Sequence, residues 1–303
     1  MGTTAAAMRR YPALLRRVIQ EGGYTPRLVF NMDGTGRFWK RLPARMLLSL
    51  EEKSALGCRA ARDVLMLRLG GSAAGDLKLK PLLLYPSENL HALKGCSRPN
   101  LPMVWRSHKK AWVTMSILQE WFVHFCPAVE RDCARYGLPY KALLILDSAP
   151  GHPGNLDDLS DHVHVLYLPK KTMALVQPMN QDIVATFKAC YPRTVFRLLA
   201  LRVGDRDEQL VVLDFWRDYS ILDTAYNISE SWEEVPPATL NGGWRKLWLE
   251  GIQQDANRLH VATLPQILQD ILALAHGVGF REVTEADVVE LLQSPGRASP
   301  LRS

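Results

Sequence analysis

The sequence predicts an α/β protein: a mixed sheet flanked by helices, with a helical extension on its C-terminal side. Two apolar runs and one change of period predict this. Leu143-Leu144-Ile145-Leu146 is four aliphatic residues bounded by turn formers, the pattern of a strand buried on both faces. Leu28-Val29-Phe30 is the apolar core of another strand, and each run leads into an aspartate, Asp33 and Asp147. From Glu208 onward the apolar spacing becomes helical and stays so.

Taken in order, residues 12–21 predict a short amphipathic helix, opened by Pro12 and ended by Gly22-Gly23. Tyr24 to Asp33 enters the first strand, with Asp33 at its end and Gly34-Thr35-Gly36 as the turn. Residues 63–69 and 77–85 read as a hairpin across the loop Gly70 to Gly75. That loop has no Lys before a Ser or Thr and opens no helix, so it is no phosphate-binding loop. Residues 114–136 carry helical spacing, broken or bent at Pro127. After the Asp147 strand, Ser148-Ala-Pro-Gly-His-Pro forces the chain to turn, and residues 163–168 make another strand. A helix begins at Ile183, with Pro178 as entry and Asn180 as cap. Further helices are expected at about 208–218, 220–234, 238–250, 263–276 and 284–293, and Thr284-Glu-Ala-Asp287 reads as a capping box. The expected organisation is a tail and short helix over 1–22, the sheet domain over 23–200, a helical part over 207–293 and a disordered tail over 294–303.

Hydrophobic residues make up 47% of the 303, enough for a sizeable core. No apolar run approaches the ~20 residues of a membrane span, so no membrane partner is expected. The N-terminus lacks the pattern of a secretory signal. The five cysteines are irregularly spaced and include no Cys-x-x-Cys pair, which argues against a zinc site or a disulfide framework and fits a reducing compartment. A net charge of +6 leans towards an anionic partner such as nucleic acid. The basic positions that would meet a phosphate backbone are Lys40, Arg41, Arg106, Lys109, Lys110, Lys170 and Lys171. Two tryptophans, Trp105 and Trp112, interleave the middle group; they either stack on bases or pack inward under a solvated rim.

In open α/β sheets ligands sit beyond the carboxyl ends of strands, where Asp147 falls; its plainer role is to cap the turn that follows. The order strand–Asp33, hairpin, helix, strand–Asp147, strand, helix suggests a ribonuclease-H-like sheet. In that plan carboxylates from two strands and one helix converge on divalent ions.

Three stretches make the resemblance specific. Phe30-Asn-Met-Asp-Gly-Thr-Gly-Arg-Phe-Trp-Lys40 resembles the family run Phe-Asn-x-Asp-Glu-Thr-Gly-Leu-Phe-Trp-Lys. Leu144-Ile-Leu-Asp-Ser-Ala-Pro-Gly-His-Pro153 resembles Leu-Leu-Leu-Asp-Asn-Ala-Pro-Gly-His-Pro. Val176-Gln-Pro-Met-Asn-Gln-Asp-Ile-Val-Ala-Thr-Phe-Lys-Ala189 resembles Ile-Gln-Pro-Met-Asp-Gln-Gly-Val-Ile-Ala-Thr-Phe-Lys-Ala. Residues 75–85, 105–114 and 232–235 add further matches. The chain thus resembles the DDE transposase domain of the pogo/Tigger group, which includes jerky-like and CENP-B-like proteins, over about residues 10 to 293.

The resemblance implies an aspartate triad that cuts and joins DNA with Mg²⁺ or Mn²⁺. By motif, the triad falls on Asp33, Asp147 and Asn180, so an amide stands where the family has its third carboxylate. Asn180 offers a neutral oxygen and no charge, which is expected to weaken metal binding and catalysis and leaves Asp33 and Asp147 as the metal ligands. Asp182 stands where the family has glycine. On a helix, residues two apart point about 200° apart, so Asp182 is the weaker substitute; its plainer role is a helix N-terminal acid. Gly34 replaces the family glutamate, and Ser148 the family asparagine. No helix-turn-helix module is seen ahead of Asp33. The expectation is therefore a nuclear, transposase-derived protein that binds DNA without sequence preference. The alternatives are an active metal-dependent endonuclease, and a self-associating scaffold built on Trp216, Trp232, Trp244 and Trp248.

Overall fold

The structure is a computed structural model describing residues 2–38, 64–86, 101–108, 114–148, 156–169, 172–203, 208–252 and 263–292. Helix α1 (Gly2–Gly22) leads into β1 (Val29–Phe38), β2 (Val64–Ser72), β3 (Leu82–Tyr85) and β4 (Val104–Ser107). Helix α2 (Met115–Tyr136) precedes β5 (Ala142–Leu146) and β6 (Val163–Tyr167). The short α3 (Met173–Val176) and a 3₁₀ turn (Pro178–Asn180) lead to α4 (Ile183–Val203). Then follow α5 (Glu208–Asp218), α6 (Ile221–Glu233), α7 (Pro237–Gly242), α8 (Leu264–Gly277) and α9 (Glu285–Leu292).

The six strands form one mixed sheet in the order β4-β3-β2-β1-β5-β6. β1 and β2 pair antiparallel, as do β2 and β3, while β5 runs parallel to β1 and β6 parallel to β5. Three antiparallel strands followed by parallel additions on the β1 side are the ribonuclease-H-like plan. All five residues of β5 are buried, as its unbroken aliphatic run requires.

Helices cover both faces of the sheet. α2 presents Ile117, Trp121, Phe122, Phe125 and Val129 to Phe30, Met32, Leu82, Leu84, Leu144 and Leu146. On the other face, α4 to α9 pack on Leu65, Leu67, Leu69 and Leu83, and Arg193 of α4 pairs with Glu234 and Asp270. Tyr11, Leu15 and Ile19 of α1 join Val29, Leu143, Ile145, Trp244 and Trp248 in a third cluster.

Several boundaries depart from the sequence expectation for local reasons. α1 begins at Gly2 rather than Pro12, since Ala5-Ala6-Ala7-Met8 are strong helix formers. α2 continues through Pro127; Val123, whose carbonyl loses its helical donor there, is 67% exposed. The expected helix over 238–250 stops at Gly242, where the pair Gly242-Gly243 yields to 3₁₀ turns. β4 was not expected, but of the two alternatives for Trp105 the inward one holds: it is 2% exposed and packs on Tyr85. Most importantly, β1 does not turn at Gly34. It runs on to Phe38, because Gly34 and Gly36 stay paired with Arg68 and Met66 of β2.

Candidate active site

The β1–β5 register brings the two aspartates together. Val29 pairs with Leu143 and Asn31 with Ile145, an offset of 114 that sets Asp33 level with Asp147 just past the end of β5. Level residues on neighbouring parallel strands share a face and lie about 4.8 Å apart. Asp33 is thus not at the end of its own strand but at the point where β1 outruns its parallel partner. Both aspartates are 4% exposed.

A buried asparagine brings up the third motif. Asn31 Nδ2 donates to the Ile145 carbonyl at 2.9 Å, and Asn31 Oδ1 accepts from the Met179 backbone N–H at 3.1 Å. Gln177 Nε2 adds a bond to the Met32 carbonyl at 3.2 Å. The first of these bonds ties β1 to β5; the other two hold the Pro178–Asn180 turn against β1, which brings the Asn180 side chain to the Asp33 carboxyl. Asp33, Asp147 and Asn180 therefore meet at one place.

Asn180 does not cap α4, as had been expected. The Asp182 carbonyl accepts the first helical bond, from Thr186 N–H at 2.9 Å, and the Thr186 hydroxyl donates to it at 2.8 Å. Asp182 precedes the helix rather than lying in its first turn, so the argument from opposed helical faces does not apply to it. Its φ of 66° is left-handed, which accounts for a glycine in the family run. Its side chain is exposed and lines a cleft of about 540 Å³ with Gln181, Thr186, Thr239, Arg245 and Thr263.

One member of the site was missed. Arg68 is the cross-strand partner of Gly34, and a Cβ built on Gly34 would lie 3.9 Å from Arg68 Cγ and Nε. The arginine stem therefore lies over the glycine, and its Nη1 reaches to 3.8 Å from Asp147 Oδ1. The signal was present in the sequence as the single charge in the apolar run Val64-Leu-Met-Leu-Arg-Leu69.

The electrostatics follow from this packing. Burial raises the Asp33 carboxyl from 3.8 to about 6; the Gly34 N–H (2.7 Å), Arg68 and Asn180 oppose the rise, and Asp147 adds to it. Burial lowers the Arg68 pKa, and Asp147 and Asp33 oppose that shift. The donor set is two carboxylates, an amide and a guanidinium. Among the described residues no group of three His, Cys, Asp or Glu side chains is placed to hold a metal ion. Such a set does not fit a pair of Mg²⁺ ions, which want several anionic oxygens and no cation among them.

Of the expected nucleic-acid positions, Lys40, Arg41, Lys109, Lys110, Lys170 and Lys171 lie outside the described residues. Arg106 is described; its guanidinium pairs with Glu120 and bonds the Trp105 carbonyl. Trp216, Trp232, Trp244 and Trp248 are all at most 7% exposed, the environment of an ordinary core. Cys126, Cys133 and Cys190 are free thiols. No helix among the described residues is long and apolar enough to cross a membrane.

A sequence profile of the DDE superfamily endonuclease family matches residues 62–244. The Jerky protein homolog of Homo sapiens is 30% identical over 245 residues, covering 80% of this chain and 41% of that protein. Tigger transposable element-derived protein 7 of Homo sapiens is 27% identical over 254 residues, covering 77% and 44%. The chain thus spans less than half the length of these curated relatives. Among solved structures, a pre-cleavage Mos1 transpososome aligns with 12% identity and a TM-score of 0.39, covering 82% of this chain and 63% of that one.

Proposed function

We propose that this chain, which belongs to the DDE superfamily endonuclease family, is a transposase-derived domain that holds DNA without cutting it. The observation that carries the loss of cutting is the third motif position. The reading is supported by the Asn31 bond to Met179, next to residue 180, and by the amide that stands at that position. A neutral oxygen adds no negative charge to attract Mg²⁺ or Mn²⁺.

The binding half rests on the surplus of six positive charges and on the basic residues at 40, 41, 106, 109, 110, 170 and 171. Such contacts neutralise phosphates and carry no sequence information, so binding is expected to be non-specific and steeply salt-dependent. A DNA-holding role places the protein in the nucleus. Self-association would add avidity on a long duplex; light scattering of the purified chain decides it.

Filter binding to duplex DNA at low salt, repeated across a salt series, tests the first half. Absence of any affinity at low salt rejects it. Incubation of supercoiled plasmid with Mn²⁺ tests the second half, with Asp147→Ala as control and Asn180→Asp as the restoring variant. The unaltered chain is expected to leave the plasmid supercoiled. The level placement of Asp33 and Asp147 favours a second reading, an active metal-dependent endonuclease. Nicking by the unaltered chain that disappears in Asp147→Ala would establish that reading instead.

A further inference from the structure

We propose that Arg68 is the resident counter-cation of the Asp33–Asp147 pair, and that it keeps divalent metal ions out of this site. The inference deepens the non-cutting reading above and rests on it, but it concerns a different residue from Asn180.

The argument begins with charge. Two buried carboxylates set level on adjacent parallel strands repel each other unless a cation lies near them. In this chain the cation is part of the fold. Arg68 is 9% exposed, and Nη1 stands 3.8 Å from Asp147 Oδ1. Its charge also acts on Asp33. The guanidinium is permanently protonated, so it supplies this charge at every physiological pH.

Geometry makes the arrangement specific to this sequence. Arg68 belongs to β2, which does not touch β5; β1 lies between them. The side chain reaches Asp147 by crossing β1 at Gly34, its register partner. Asp147 lies one residue past Leu146, the last residue of β5. Gly34 stands where the family run carries glutamate. A Cβ there would meet Arg68 Cγ and Nε at 3.9 Å, an ordinary contact, so the stem lies directly over the glycine. What glutamate would add at this position is a third negative charge beside Arg68, which the glycine leaves to Asp33 and Asp147.

An incoming divalent ion would have to take the carboxylate oxygens that face Arg68. The guanidinium repels it directly. Displacing the guanidinium would strand a buried positive charge without its carboxylates, which costs more than the pairing returned. The two carboxylates and one arginine carry a net charge of −1, which is little attraction for an ion that must shed part of its water shell.

The test is Mn²⁺ binding, with no activity readout. Mn²⁺ alone is titrated into the full chain and into Arg68→Leu, and bound ion is counted by electron paramagnetic resonance. Arg68→Leu removes the cation beside two buried carboxylates, so Arg68→Gln is measured beside it as the variant that fills the same space with a polar group. Far-UV circular dichroism confirms that each is folded. The unaltered chain is expected to show no saturable Mn²⁺ site into the millimolar range. A folded Arg68 variant is expected to bind at least about tenfold more tightly and to gain thermal stability on adding Mn²⁺. Asp147→Asn in the same background should abolish the gain.

Equal Mn²⁺ affinity in the unaltered chain and the Arg68 variants overturns the assignment. So does a gain that survives Asp147→Asn, since the ion would then sit elsewhere. Failure here is separable from failure of the non-cutting reading. Plasmid nicking by the unaltered chain overturns the latter, whereas intact plasmid with unchanged Mn²⁺ affinity overturns only the role of Arg68.

Discussion

Asn31→Ala tests how the site is assembled. The substitution removes the donor to the Ile145 carbonyl and the acceptor for the Met179 N–H, at 2.9 and 3.1 Å. Asn31 is fully buried, and the groups it serves lie in the interior with it. Water does not replace the lost amide there without further rearrangement. Each group left without its partner costs about 1–3 kcal/mol, so the expected loss is about 3–4 kcal/mol. At a urea slope of about 3 kcal/mol/M, the unfolding midpoint falls by about 1 M. The same change releases the Pro178–Asn180 turn from β1, so the Met179 amide should exchange with solvent faster than the neighbouring amides of α4. A stability loss below about 1 kcal/mol, or an unaltered exchange rate at Met179, would refute the clamp.

Three further outcomes are expected. Burial raises the Asp33 pKa from 3.8 to about 6, so the folded state holds that proton more tightly than the unfolded chain does. The contribution of Asp33 to stability is complete below about pH 4 and is lost as pH rises through about 6, a swing of about 3 kcal/mol. Asp33→Asn should flatten the stability profile across that window, and an unchanged profile counts against the burial argument. At the left-handed residue before α4, Asp182→Gly should be more stable than Asp182→Ala by about 1 kcal/mol in urea unfolding, since both lose the carboxylate and only glycine suits a φ of 66°. Gly75→Ala should cost about 3 kcal/mol or more by the same measurement: its φ is +82°, and a Cβ there would lie 2.2 Å from the Pro237 carbonyl oxygen. A mild effect would mean the loop after β2 can move away from α7.

The sequence was most readable where one physical demand acted alone. Leu143 to Leu146 can be little other than a buried strand, and the carboxylate at its end follows directly. The left-handed turn at Asp182 and the stop at Gly242 depend on local backbone chemistry that sequence signals only in part. Gly34-Thr35-Gly36 carries turn chemistry, which hides the length of β1; pairing with β2 keeps it extended, and that partner lies 30 or more residues away. β4 was not foreseen for a similar reason, since the basic run from Arg106 looks like a solvated rim until β3 pairs with it. Arg68, Asn31 and Gln177 were hidden most deeply. Each is a single polar residue in an apolar setting, and its role exists only once two distant segments have met.

The reach of Asn31 also has a consequence for synthesis on the ribosome. Its two partners are separated from it by 114 and 148 positions along the chain. At ~5–20 residues per second, this amide must wait roughly 7–30 s for Met179 to be made. Until β5 arrives, the nascent β1–β2 hairpin presents Val29 to Met32 as an open apolar edge, the kind of surface that chaperones shield and neighbouring chains capture. Production of this protein should therefore be limited by the lifetime of that early hairpin, and pausing translation between residues 85 and 140 should lower the soluble yield more than pausing after residue 200.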